Sequence, residues 1–237
     1  MRLLAGTSGY SYREWKGNFY PEDLPADGML RFYAQRFPTV EINNTFYRMP
    51  AETMLARWAE EVPARFEFTL KAPRRISHDK RLRDTDPDVS ELLRRAAALG
   101  KKLGVLLFQT PPTMKKDLDV LAEFLNGFPP HSRIALEFRH ASWRDDAVYE
   151  ALRANGAAWC VADTDEGEAP FVSTADYGYV RLRRTKYDRR ELRAWAERIA
   201  TQPWKSAYVY FKHEDEGLGP QFAQRFIELW GSVQGSG

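Results

Sequence analysis

Short runs of apolar residues recur along the chain, each closing on polar side chains and followed by a stretch with helical periodicity. The runs are Leu3–Gly6 (closing on Thr7 and Ser8), Thr39–Ile42 (Asn43), Phe66–Leu70 (Lys71) and Gly104–Phe108 (Gln109). They continue as Ile134–Leu136 (Glu137 and Arg139), Ala158–Ala162 (Asp163), Tyr179–Leu182, and Ala207–Phe211 (Lys212). Between them, apolar residues repeat at i, i+3, i+4 and i+7, as in Leu30, Tyr33, Ala34 and Phe37 or Leu55, Trp58, Ala59 and Val62. The same spacing predicts helices over 89–99, 118–128, 145–155, 190–200 and 220–230.

Strand, helix, strand with short connections implies βαβ units and a parallel sheet. Most runs are continuously apolar, as strands covered on both faces are. Eight such units favour closure into an α/β, TIM-like (β/α)8 barrel. The sixth connection, 164–178, carries no clear helical stripe, so the barrel is expected to be irregular there. Residues 1–230 read as one domain and 231–237 (GSVQGSG) as a flexible C-terminal tail.

Composition narrows this picture. The chain has 237 residues, 43% hydrophobic, with a net charge of +2, so an anion-binding surface has to be local rather than global. The one cysteine, Cys160, excludes an internal disulfide and a Cys-rich zinc site, and fits a reducing cytoplasm. No run approaches the ~20 apolar residues of a membrane span, and no membrane association is expected.

In such a barrel, chemistry resides where the strands end. Those positions hold Glu41, Asn43, Lys71, Gln109, Glu137, Arg139, Asp163, Arg181 and Lys212. Glu41 and Arg181 lie inside their runs, where an unpaired charge costs several kcal/mol, so they should meet partners or a wet cavity. The first loop adds Tyr12 and Trp15, and the second adds Tyr47. The third adds Arg74, Arg75, His78, Lys80, Arg81 and Arg83, and the seventh adds Arg183, Arg184, Lys186, Arg189 and Arg190. Cations and stacking planes on one rim suit a small phosphorylated or sugar-like ligand, and equally a nucleic acid.

These same segments carry a family resemblance. Gly6-Thr7-Ser8-Gly9-Tyr10-Ser11-Tyr12 with Trp15, Glu41-Ile42-Asn43-Asn44-Thr45-Phe46-Tyr47, Phe68-Thr69-Leu70-Lys71-Ala72-Pro73, Gln109-Thr110-Pro111-Pro112 and Glu137-Phe138-Arg139-His140 are similar to the blocks of the YecE-like family, uncharacterised domain family 72. The likeness covers nearly the whole chain. It implies a TIM-barrel-like fold and no particular activity. Two places depart from the pattern: Lys212-His213 stand where an Asn-Asn pair is common, and Arg181-Leu182-Arg183-Arg184 is more basic than usual.

Several chemistries are compatible with these residues. Four histidines (His78, His131, His140 and His213) are too few for a multi-zinc nuclease, since His131 falls at the opposite face. A single Mg or Mn ion on Glu41, Glu137 and Asp163 is one alternative, giving a phosphodiester hydrolase. Otherwise no metal site is assigned and no organic cofactor is implied. Glu41 and Glu137 are also a candidate carboxyl pair for glycoside hydrolysis. Lys71 is a candidate amine nucleophile, although pairing with Glu41 would keep it charged. A non-catalytic binder of nucleic acid or a phosphometabolite is the remaining alternative.

The expectation is therefore a ligand site with Glu41, Glu137, Asp163, Lys71 and His78 as the chemical groups. Tyr12, Trp15, Asn43, Tyr47, Gln109, Arg139, Arg181 and Lys212 would bind. Oligomeric state is left open.

Overall fold

The computed structural model describes residues 1–212 and 217–235. Nine strands are present among them: β1 (Arg2–Thr7), β2 (Thr39–Ile42), β3 (Glu67–Lys71), β4 (Leu103–Gln109), β5 (Ile134–Glu137), β6 (Ala158–Thr164), β7 (Gly167–Glu168), β8 (Tyr177–Leu182) and β9 (Ser206–Phe211). The helices are α1 (Met29–Ala34), α2 (Glu52–Glu61), α3 (Asp86–Ala96), α4 (Leu118–Asn126), α5 (Asp146–Ala154), α6 (Arg189–Ala200) and α7 (Leu218–Gln234). All strands but β7 run parallel, in the order β1-β9-β8-β6-β5-β4-β3-β2. This is the expected TIM-like barrel.

Closure between β1 and β2 is made by a bridge of Ser8 with Glu41 and by the Gly9 N–H donating to Glu41 O at 2.7 Å. Below that point the ladder is missing. There the buried hydroxyl of Tyr33, from α1, accepts from the Thr7 N–H at 2.8 Å and donates to Thr39 O at 3.0 Å. Gly6 permits this approach, since a Cβ there would stand 2.1 Å from Thr39 O. Gly6→Ala is therefore expected to open the seam at a cost of about 1–3 kcal/mol, read as a lower midpoint in thermal unfolding.

The sixth unit has no helix, as its sequence indicates. β7 folds back on β6, pairing Asp163 with Glu168. The following chain covers the outside of the barrel instead. Thr174 Oγ1 accepts from Trp159 N and donates to Ala157 O, each at 2.7 Å, while Phe171 stacks on Trp204.

Side chains alternate across the barrel wall. Leu4, Val105, Leu107, Ala135, Cys160, Tyr177, Tyr179, Tyr208 and Tyr210 fill the interior, and a larger cluster packs the strands against the helices. The interior is polar at its lower end, where Tyr208 donates to Glu67 and Arg2 and Arg133 pair with the same carboxylate. The last helix runs to Gln234, into the segment 231–237 expected as a tail: buried Leu229 and Trp230, followed by partly buried Val233, pack against the core, and 236–237 lie outside the described residues. His213 lies outside the described residues.

Candidate functional site

At the C-terminal ends of the strands, the interior alternation brings distant charges together. Arg181, from β8, is 2% exposed and lies between two carboxylates. Its Nη2 donates to Glu41 Oε1 at 2.8 Å and its Nη1 to Glu137 Oε2 at 2.5 Å. Ser8 Oγ also donates to Glu41 Oε1, and Tyr179 donates to Oε2. Gln109 Nε2 and Arg183 Nη1 donate to Glu137 Oε1 at 2.8 and 3.2 Å. Every carboxylate oxygen is thus engaged.

The protonation states follow from this geometry. Burial pushes the Glu137 carboxyl up, but Arg181 and Arg183 outweigh it and bring it down to about 2. Glu41 responds in the same way: burial raises it, while Arg181, Ser8 and Tyr179 pull it below its ordinary range. Both stay ionised at neutral pH, so neither holds the proton that a glycosidase acid must donate.

Lys71, at the end of β3, is not paired with Glu41, the alternative that would have kept it charged. Its Nζ donates to the neutral Oε1 of Gln109 at 2.9 Å and sits 4.2 Å from the Phe46 ring centroid. No carboxylate lies within 4.0 Å of Nζ among the described residues. Burial and the neighbouring Arg181 lower the Lys71 ammonium to about 8, against opposing pulls from Glu41 and Glu137. His78 meets the same Phe46 ring edge-on, 4.9 Å between centroids, with Nδ1 2.9 Å from Ser77 Oγ. Burial and Lys71 hold His78 below its ordinary value, so it is neutral at pH 7. It rides on a single π-turn, Arg75–Asp79, in a loop where Arg81, Leu82 and Asp84 adopt left-handed backbone. Such local strain recurs at functional sites.

Asp163 is a correction. Cys160 faces the interior, so alternation turns Asp163 outward. There its carboxylate takes Arg184 Nε and the Tyr187 hydroxyl, both at 2.9 Å. Glu41, Glu137 and Asp163 therefore do not converge, and the proposed metal ligand set does not form. Trp15 is a second correction: it is fully buried against Phe19 and Tyr20 and lines no mouth. Tyr12 is half-buried beside Trp15 and donates to Ser8 O at 2.9 Å. Tyr47 is 82% exposed, edge-on to Phe46. Lys212 follows β9, its N–H donating to Leu182 O at 3.2 Å.

A cleft of about 490 Å³ opens above Glu137, lined among others by Arg139, Arg144, Arg183, Cys160 and the β6–β7 turn. Of the turn's acids, Asp165 is held by Thr185 and Glu168 by Arg198, while exposed Glu166 also lines the cleft. Arg139 and Arg144 are exposed, and their guanidinium groups make no ion pair or hydrogen bond among the described residues. Three buried nitrogen donors, Asn43 Nδ2, Arg181 Nε and Arg183 Nε, also lack an acceptor. Of the arginines lining the cleft, Arg144 is absent from the residues expected on the rim, and Arg183 stands there only as one of several seventh-loop cations. Arg183 had a visible signal, since it extends Tyr177, Tyr179 and Arg181 by one more alternate step. The basic third loop contributes less than its composition suggests: Arg75 and Lys80 pair with Asp88, and Arg83 with Asp117.

Fold and site together define a TIM-like barrel with an arginine-bridged carboxylate pair beneath a cationic mouth. A family model described as "Protein of unknown function DUF72" matches residues 4–236, and the chain belongs to that family. Escherichia coli (strain K12) YecE is 36% identical over 112 residues, which cover 47% of this chain and 41% of that protein, so the match spans about two fifths of this relative. Bacillus subtilis YunF is 24% identical over 231 residues, 91% of this chain and 80% of its own length. A solved DUF72 family structure from Thermotoga maritima is 27% identical with a TM-score of 0.86, covering 98% of this chain and all of that one. Another, from Enterococcus faecalis, shares the fold at 19% identity and a TM-score of 0.80, covering 97% of this chain and 95% of that one. No helix among the described residues is long and apolar enough to cross a membrane.

Proposed function

We propose that the mouth of the barrel binds a small phosphorylated or carboxylated metabolite and acts on it in the cytoplasm. The observation that carries this reading is the pair of unpartnered guanidiniums, Arg139 and Arg144, above a floor whose carboxylates Arg181 and Arg183 already neutralise. Arginine forks suit phosphate and carboxylate oxygens. The orphan donors of Asn43 and Arg183 favour an oxygen-rich ligand, and Lys71 adds a cation that is not committed to an acid. A small ligand is favoured over a nucleic-acid track because four of the five third-loop cations, Arg74, Arg75, Lys80 and Arg83, are held in ion pairs.

Glycerol 3-phosphate, titrated calorimetrically into the full chain, tests the reading. The phosphate is dianionic above about pH 7.5, so from there on only the protein titrates. Lys71 is cationic below about 8 and neutral above it. Affinity should therefore fall as pH rises from 7.5 to 9.5, and it should weaken with added salt. No detectable binding at low salt, or an affinity that rises over that range, would overturn the reading.

A further inference from the structure

We propose that Lys71 is a nucleophilic amine that captures the carbonyl carbon of a small phosphorylated aldehyde or ketone as an imine. The inference rests on the anion reading of the same mouth and adds the reaction class to it.

The geometry is that of an amine held for attack rather than for pairing. Lys71 ends β3 on the interior side, half-buried, with its Nζ fixed by a neutral amide oxygen and an aromatic face. A salt-bridged lysine keeps its lone pair protonated, whereas Gln109 Oε1 orients the nitrogen without stabilising the charge so strongly. The charged groups that act on Nζ come from several elements. Arg181 and Arg183 of the β8 end oppose its charge, and Glu41 of β2 and Glu137 of β5 favour it. The two acids are largely neutralised by the arginines. His78, in the loop after β3, is neutral at pH 7 and adds no charge.

With an ammonium at about 8 rather than the ordinary 10.5, the neutral amine at pH 7 is roughly 300-fold more abundant than on an ordinary lysine. The lone pair of Nζ attacks the carbonyl carbon. The new C–N bond gives a carbinolamine, both amine hydrogens leave with the carbonyl oxygen as water, and one proton taken from solvent remains on the C=N nitrogen. The iminium so formed withdraws electrons from the adjacent carbon, which is the activation needed for cleavage or proton removal beside a carbonyl. The phosphate of such a substrate would lie on Arg139 and Arg144.

Glycolaldehyde phosphate with sodium cyanoborohydride, added to the intact protein, traps the imine as a secondary amine. Peptide mapping is expected to place one adduct on Lys71, formed at least about tenfold faster than at any surface lysine. Its rate should rise between pH 6 and 8 and fall when glycerol 3-phosphate is added. Lys71→Arg keeps the charge and should lose the adduct. Labelling spread over surface lysines, or a Lys71 adduct no faster than theirs, overturns the imine.

Glycerol 3-phosphate has no carbonyl, so the two readings fail separately. If it binds while Lys71 stays unmodified, the imine alone is wrong. If it does not bind, the anion reading is wrong. Equal labelling by unphosphorylated glycolaldehyde would remove the phosphate from the proposed substrate.

Discussion

Replacing Arg181 by methionine is expected to destabilise the barrel by about 3–5 kcal/mol, because it leaves two buried carboxylates without their shared cation. At this chain length that corresponds to roughly 10 °C in Tm. The pH dependence should also change sign. In the wild type, Glu137 titrates near 2 when folded and at its ordinary 4.5 when unfolded. Its contribution is therefore complete above about 4.5 and lost as pH falls towards 2. Without Arg181, burial dominates Glu41 and raises its folded pKa above the unfolded one. Relative to the wild type, the variant should then gain stability as pH falls from 7.5 to 5, a range over which the wild type itself loses a little because folded His78 resists protonation. Denaturant unfolding at those two pH values reads both effects. A wild-type-like stability at pH 7.5 would mean that the cation is not what holds the two acids in place.

Removing both Arg139 and Arg144 by alanine substitution is expected to weaken glycerol 3-phosphate binding by roughly 100-fold or more, taking each charge-assisted contact as worth about tenfold at least. Stability should stay within about 0.5 kcal/mol of wild type, because both side chains are exposed and make no contact that the fold relies on. Affinity and stability are thus separable at these two positions, unlike at Arg181. A double variant that binds as the parent does would place the ligand elsewhere, and one that unfolds would show a structural role in place of a binding one.

Much of the barrel can be read from the chain, because each strand is a buried run and each helix an apolar stripe. The convergence of Glu41, Lys71, Gln109, Glu137 and Arg181 follows from their placement at strand ends. Asp163 was misplaced by the same logic. Ending a strand does not decide which side of the wall a residue faces, and three steps of alternation from Cys160 send it outward. Trp15 was misplaced because an aromatic-rich loop reads alike whether it caps a mouth or folds into its own cluster, as it does here with Phe19 and Tyr20.

Pairing preferences were the least legible. Whether Lys71 meets Glu41 or Gln109 depends on which neighbouring strand its side chain leans towards. The register of β3 on β4 aligns Lys71 with Leu107, next but one to Gln109. The freedom of Arg139 and Arg144 is a property of the surrounding surface, which no local pattern encodes.

Tungstate soaked into crystals of the full chain, located by its anomalous signal, decides whether the mouth of the barrel holds an anion. The predicted result is a peak between the guanidiniums of Arg139 and Arg144 above Glu137, with Lys71 still on Gln109. Tungstate bound only at other surfaces, with that cleft empty at high occupancy elsewhere, would contradict it.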